Sequence, residues 1–148
     1  MSEQIVTFLA SQQLLTIATA DEDGPWICNV YFASDDLTLY FLSMPEARHS
    51  VHIKNSGNVA FSTAWFDPDN MKDRKSVQGR GECTMLTERS DIEAGLAALK
   101  NQLGWEHVSA DALLDGSAEV SLYRITPSYI KYWDDELLGE EQTFELEV

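Results

Sequence analysis

The run Phe41-Leu42-Ser43-Met44-Pro45-Glu46-Ala47-Arg48-His49 brings a hydroxyl, a guanidinium and an imidazole within seven residues. Ser43 and Glu46 have capping-box spacing and Pro45 suits a first turn, so the spacing predicts a helix that begins at Ser43, directly after a strand. Such a junction presents unpaired N–H groups and the positive end of a helix dipole, which together receive phosphate. Ser43 adds a hydroxyl, Arg48 a planar fork that can grip phosphate through two bonds, and His49 a further donor when protonated. Glu46 works against this, because a carboxylate in the first turn competes for the same N–H groups. On these residues alone, Ser43 as a simple cap and Arg48 as a solvated charge remain open.

The rest of the sequence supplies little competing chemistry. His49 and His52, three apart on a helix, could share a metal, but no third ligand is in view and both are expected to face solvent. Cys28 and Cys83 sit in strand-like runs without a nearby His or a Cys-x-x-Cys frame, so they read as buried thiols rather than nucleophiles. No acid, base or nucleophile stands out as catalytic. There is no Walker loop, Rossmann glycine pattern or Ser/His/Asp set.

Composition narrows the partners. A net charge of −15 repels nucleic acid and anionic lipid at long range. Seven acids lie from Asp134 onward with no Lys or Arg, whereas six of the ten bases fall between Arg48 and Arg80. Two short positive segments could therefore receive an anion within an acidic protein. The polar start Met1-Ser2-Glu3-Gln4 is unlike a secretory leader, and no apolar run approaches the roughly 20 residues of a membrane helix. A cytoplasmic location is expected, with free thiols. At 148 residues and 44% apolar composition, one domain over 1–148 is expected, with order everywhere except the tail.

The elements that must position Ser43, Arg48 and His49 follow from periodicity. A first helix is expected over Glu3–Gln12, capped by Ser2. Strands are expected at Leu14–Ala20, Trp26–Ser34 and Leu37–Ser43, joined by turns at residues 21–25 and 35–36. The second helix runs from Ser43 to about Asn55–Gly57. Val59–Phe66 is a fourth strand, Asp67–Lys75 a charged loop and Val77–Leu86 a fifth strand. Ser90 and Glu93 cap a third helix that Gly104 stops, Trp105–Ser117 is irregular, and Glu119–Ile125 and Tyr129–Trp133 are the last extended segments. Six or so antiparallel strands with about three helices between them make a mainly β (α+β) barrel.

The order of these elements, and Ser43 followed five residues later by the Arg48-His49 pair, resembles the pyridoxamine 5′-phosphate oxidase-like, flavin-binding split-barrel superfamily. Ile53–Val59 is similar to the stretch that leads into that family's fourth strand, and Ser76–Gly81 to its fifth. Within the family, the chain looks closest to the bacterial YhbP-type branch. The resemblance implies a six-stranded split barrel, flavin mononucleotide (FMN) as cofactor, a small-molecule ligand and a homodimer. It implies that Ser43, Arg48 and His49 hold the flavin phosphate and that the Ile27–Phe32 stretch, including Asn29, Val30 and Tyr31, lies along the isoalloxazine ring. It further implies flavin contacts from Arg74 and Gln78 and, as an aromatic closing the site, from Trp133. His49 stands where the oxidases carry lysine, and their substrate-recognising Arg and His are missing from the acidic tail, so pyridoxamine phosphate oxidation is not expected. A flavin-dependent oxidoreductase, a non-catalytic flavin or haem carrier, and a dimer with an empty ancestral pocket are the three readings left open.

Overall fold

The computed structural model describes all 148 residues. Its elements are α1 (Ser2–Ala10), β1 (Leu14–Asp21), β2 (Gly24–Tyr31), β3 (Ala33–Asp35), β4 (Thr38–Ser43), α2 (Arg48–Ser56), β5 (Asn58–Asp67), β6 (Asn70–Met85), α3 (Arg89–Leu103), α4 (Ala110–Asp115), β7 (Ser121–Asp134), α5 (Asp135–Leu138) and β8 (Thr143–Glu147). All eight strands join one sheet of order β2-β1-β5-β6-β7-β4-β3, with β8 paired to the outside of this path on β7. Every pairing is antiparallel. The class is mainly β, as the alternating pattern predicts, with eight strands and five helices rather than six and three. No helix is long and apolar enough to cross a membrane.

Alternation decides which face is core. Leu15, Ile17, Phe41, Phe61, Val77, Ile125 and Ile130 point inward and join Ile5, Phe8 and Leu9 of α1 in a cluster of 17 buried residues. Phe41 and Tyr123 stack within it, with ring centroids 5.1 Å apart and planes 10° from parallel. A second cluster under α3 contains Ala33, Tyr40, Leu86, Ile92, Leu99 and Leu122.

Several boundaries differ from the sequence expectation, each for a physical reason. The stretch 67–75 is a hairpin rather than a loop, because β6 extends back to Asn70 and pairs with β5 up to Asp67. The segments on either side of Thr126-Pro127 form one strand. Pro127 is tolerated opposite Gly81, where the register shifts by a bulge. A Cβ at Gly81 would run into the Thr126 carbonyl oxygen, and one at Gly79 into the Phe61 ring, so glycine permits the close approach here. The acidic tail is ordered as α5 and β8, with β8 pairing to β7 along Tyr129–Trp133. Residues 110–115, within the stretch expected to be irregular, form α4. The expected caps Ser2, Ser43 and Ser90 do not cap: the helices start after Met1, Ala47 and Glu88, none of which makes a side-chain cap bond.

Candidate cofactor site

The shift of the α2 start from Ser43 to Arg48 changes the chemistry of the junction. Ala47 adopts the extended N-cap conformation, yet has no side chain that can accept from the first turn. The earliest return bond runs from the Val51 N–H to the Ala47 carbonyl, which leaves the amides of Arg48, His49 and Ser50 without helical partners. The Ser50 hydroxyl, 2% exposed in the same turn, has no hydrogen-bond partner either. Glu46 falls outside the helix, and the first turn carries no acid, so the expected competition at this terminus does not arise.

Ser43, released from capping, meets His49 instead: its hydroxyl lies 2.6 Å from His49 Nε2. His49 is partly buried and its pKa is lowered, first by desolvation and second by the neighbouring His52. Arg48 does not join the Ser43–His49 pair. Its guanidinium lies over the Trp26 ring, 4.3 Å from the centroid, and is exposed at the edge of the cradle.

His52 is the clearest correction to the sequence reading. It is buried at 3% exposure rather than facing solvent. Its Nδ1 is 2.9 Å from Thr19 Oγ1 and its Nε2 is 3.2 Å from Asp21 Oδ1, so both ring nitrogens are engaged and α2 is pinned to the end of β1. Thr19 is itself 4% exposed, so this hydroxyl–imidazole–carboxylate set is a structural clamp and not an accessible nucleophile. Sequence reasoning missed it because its members are 33 positions apart; the signal was a His at a buried helix position facing a Thr on the inner face of a strand.

The other expected residues lie on the outer face of the sheet or just behind it. Asn29, Thr16, Ser62, Gln78 and Lys131 form one cross-strand row. Asn29 and Gln78 are three strand spacings apart in it, roughly 14 Å. Asn29 is occupied, its Oδ1 accepting from Thr16 Oγ1 at 2.7 Å. Val30 packs against the core instead, while Tyr31 is 56% exposed and meets Trp105 edge-on at 6.3 Å between centroids. Arg74, Gln78 and Trp133 come together: the Arg74 guanidinium is 4.8 Å from the Trp133 ring centroid, and Trp133 Nε1 donates to Gln78 Oε1 at 3.3 Å. Arg74 also pairs with Asp135 at 3.4 Å.

The nine expected residues therefore fall into an α2 cradle, a β2 segment and a β6–β7 cluster. Ser43 pairs with Ser121 at the start of β7, and Ser76 with Trp133 near its end. The first group thus lies level with the start of β7 and the last with its end. Between β2 and β6 the outer face is floored by small residues, and a trough of about 890 Å³ bordered by Ala18, Ala20, Ala60, Arg80 and Gly81 opens at one end of it. Of the two thiols expected to be buried, Cys83 is buried and Cys28 half-buried; burial pushes the Cys83 pKa up to about 12 and raises that of Cys28 as well.

Residues 1–134 match the pyridoxamine 5′-phosphate oxidase family. The chain belongs to that family. No curated protein sequence matches it significantly. Among solved structures, it is similar to a heme-binding protein from Mycobacterium smegmatis, at 15% identity and a TM-score of 0.77, covering 99% of this chain but only 57% of that longer one. A conserved hypothetical protein from Mycobacterium tuberculosis matches at 19% identity and a TM-score of 0.75, covering 96% of this chain and 89% of that one. An FAD-binding protein from Mesorhizobium loti matches at 19% identity and a TM-score of 0.65, covering 88% and 92%. At these identities the likeness establishes the pyridoxamine 5′-phosphate oxidase-like fold.

Proposed function

We propose that the chain binds FMN through the N-terminus of α2 and acts, as a cytoplasmic homodimer, as a flavin-dependent oxidoreductase on a small molecule. The observation that carries this reading is the uncapped first turn of α2, whose free amides sit beside the Ser43–His49 pair with no acid among them. This donor set suits a phosphate: backbone N–H groups, a hydroxyl, an imidazole that can gain a proton, and an exposed guanidinium at the rim. His52, held by Thr19 and Asp21, fixes the helix that carries these donors. Bound flavin would supply hydride chemistry, and the chain needs only to bind it, orient its ring along Asn29–Tyr31 and limit water access.

A second copy is part of the proposal. Arg74, Gln78 and Trp133 contact one another and not their own chain's cradle, and a partner's cluster that completes the site is part of the same proposal. The outer face suits a partner, since Leu14, Ile27 and Tyr31 are 52%, 64% and 56% exposed on adjacent strands. Haem carriage at the α2 site is the weaker reading, because His52 has both nitrogens engaged and His49 Nε2 is held by Ser43. Placement in the YhbP-type branch rests on the sequence resemblance alone. The test is an absorbance spectrum after incubation with FMN and desalting, followed by addition of a reduced nicotinamide. Retained flavin near one per chain that is then bleached supports an oxidoreductase; retained flavin that no donor reduces supports a carrier; a colourless protein overturns the reading.

A further inference from the structure

Beside the candidate cofactor face lies a cavity that neither cofactor nor core fills. It measures about 160 Å³ and is lined by Leu42, Leu96, Leu99, Trp105, Val108 and Val120, with His107 at its rim. Its walls come from the end of β4, from α3 and from the segment that follows α3. Gly104, with φ +70°, ends the helix in the left-handed conformation, and the Trp105 amide turns back to the Leu99 carbonyl at 3.4 Å. That reversal sets the indole between two neighbours: Tyr31 edge-on at 6.3 Å on one side and His107 at 6.5 Å on the other. Trp105 thus forms a wall of the cavity and also touches Tyr31, an outer-face residue of the stretch proposed to carry the flavin ring.

We propose that this cavity binds an uncharged apolar molecule of single-ring size. The size fits a single ring, since an enclosed apolar cavity of roughly 150 Å³ takes up benzene; here Leu99 is buried and the other apolar walls are half-buried, which leaves a way in. The lining fits as well: six apolar side chains surround the space and no carboxylate, amine or guanidinium lines it, so a charged substrate would lose its hydration without compensation. His107 offers one polar contact at the mouth, enough to orient a ring that carries a single hydroxyl, carbonyl or nitro group. The claim stands without flavin.

Toluene is a suitable probe, followed through the methyl NMR signals of the lining residues in the full chain. The expected result is saturable binding with shifts concentrated on Leu42, Leu96, Leu99, Val108 and Val120, and loss of these shifts in Val108→Phe, which fills the space. Val120→Phe gives the same test from β7's side if the first variant folds poorly. Non-saturating or scattered shifts, or unchanged binding in a folded filling variant, would overturn the site. Toluene binding in a protein that takes up no FMN leaves the cavity assignment standing and removes the flavin reading instead.

Discussion

The α2 cradle and the Arg74–Gln78–Trp133 cluster both gather polar and cationic groups, yet they are built in opposite ways. In the cradle, three amides and the Ser50 hydroxyl have no partner, and His49 is held only by Ser43. In the cluster, Arg74 is matched by Asp135 and by the Trp133 face, and Trp133 by Gln78. Unmatched donors are costly in a folded protein unless a ligand or water completes them, whereas a self-matched cluster has little left to offer an anion. This difference supports the proposal that the phosphate goes to the cradle and the cluster faces a ring or a partner surface.

The largest expected effect breaks the support beneath the cradle. His52→Ala leaves buried Thr19 and half-buried Asp21 without their partner and should lower unfolding free energy by roughly 2–4 kcal/mol in urea denaturation. Gln78→Ala, at an exposed position of the cluster, should change it by no more than about 0.5 kcal/mol. Equal effects would erase the contrast between the two regions.

Arg48→Ala comes next. It should leave the fold intact and weaken FMN binding by about 1.5–3 kcal/mol, the worth of a charged hydrogen bond. Riboflavin, which lacks the phosphate, should bind the variant and the parent alike. Trp133→Ala tests the other region: if its ring contacts flavin across a dimer, FMN and riboflavin should weaken together, by about 0.5–1.5 kcal/mol. A Trp133 variant that discriminates between the two flavins would contradict the division of roles.

The smallest effect is that of pH. His49 has its pKa lowered from 6.5 by burial and by His52, whereas a bound phosphate favours the imidazolium. Binding therefore takes up a proton, and FMN affinity should rise from about pH 8 to about pH 6 once the phosphate's own ionisation is subtracted, with riboflavin flat. Without ligand the sign reverses for stability. The contribution of neutral His49 is present above 6.5 and is lost as pH falls through the depressed folded-state value. A flat FMN profile removes His49 from the site.

How much of this was legible in the sequence depends on whether the signal was local. The faces of the Trp26–Ser34 stretch follow directly from alternation, with Cys28, Val30 and Phe32 toward the core and Asn29 and Tyr31 outward, and a helix start soon after β4 followed too. The placement of that start did not, because Ser43 could bond either to an amide three residues on or to His49 six residues on, and the latter prevailed. Composition leaves the tail as the one segment without expected order, yet Phe144 and Leu146 alternate with its acids and pack against the core. The Thr126-Pro127 break was read as a boundary because the bulge that tolerates proline is set by Gly81 on another strand. His52 was invisible for the same reason: its partners are brought to it by the sheet.

A parallel titration of the desalted protein with FMN and with riboflavin, followed by quenching of flavin fluorescence, tests the central claim most directly. The account predicts saturation near one FMN per chain, with riboflavin at least about tenfold weaker because the α2 donors contact only the phosphate. Equal affinity for the two flavins, or no binding of either, would contradict it.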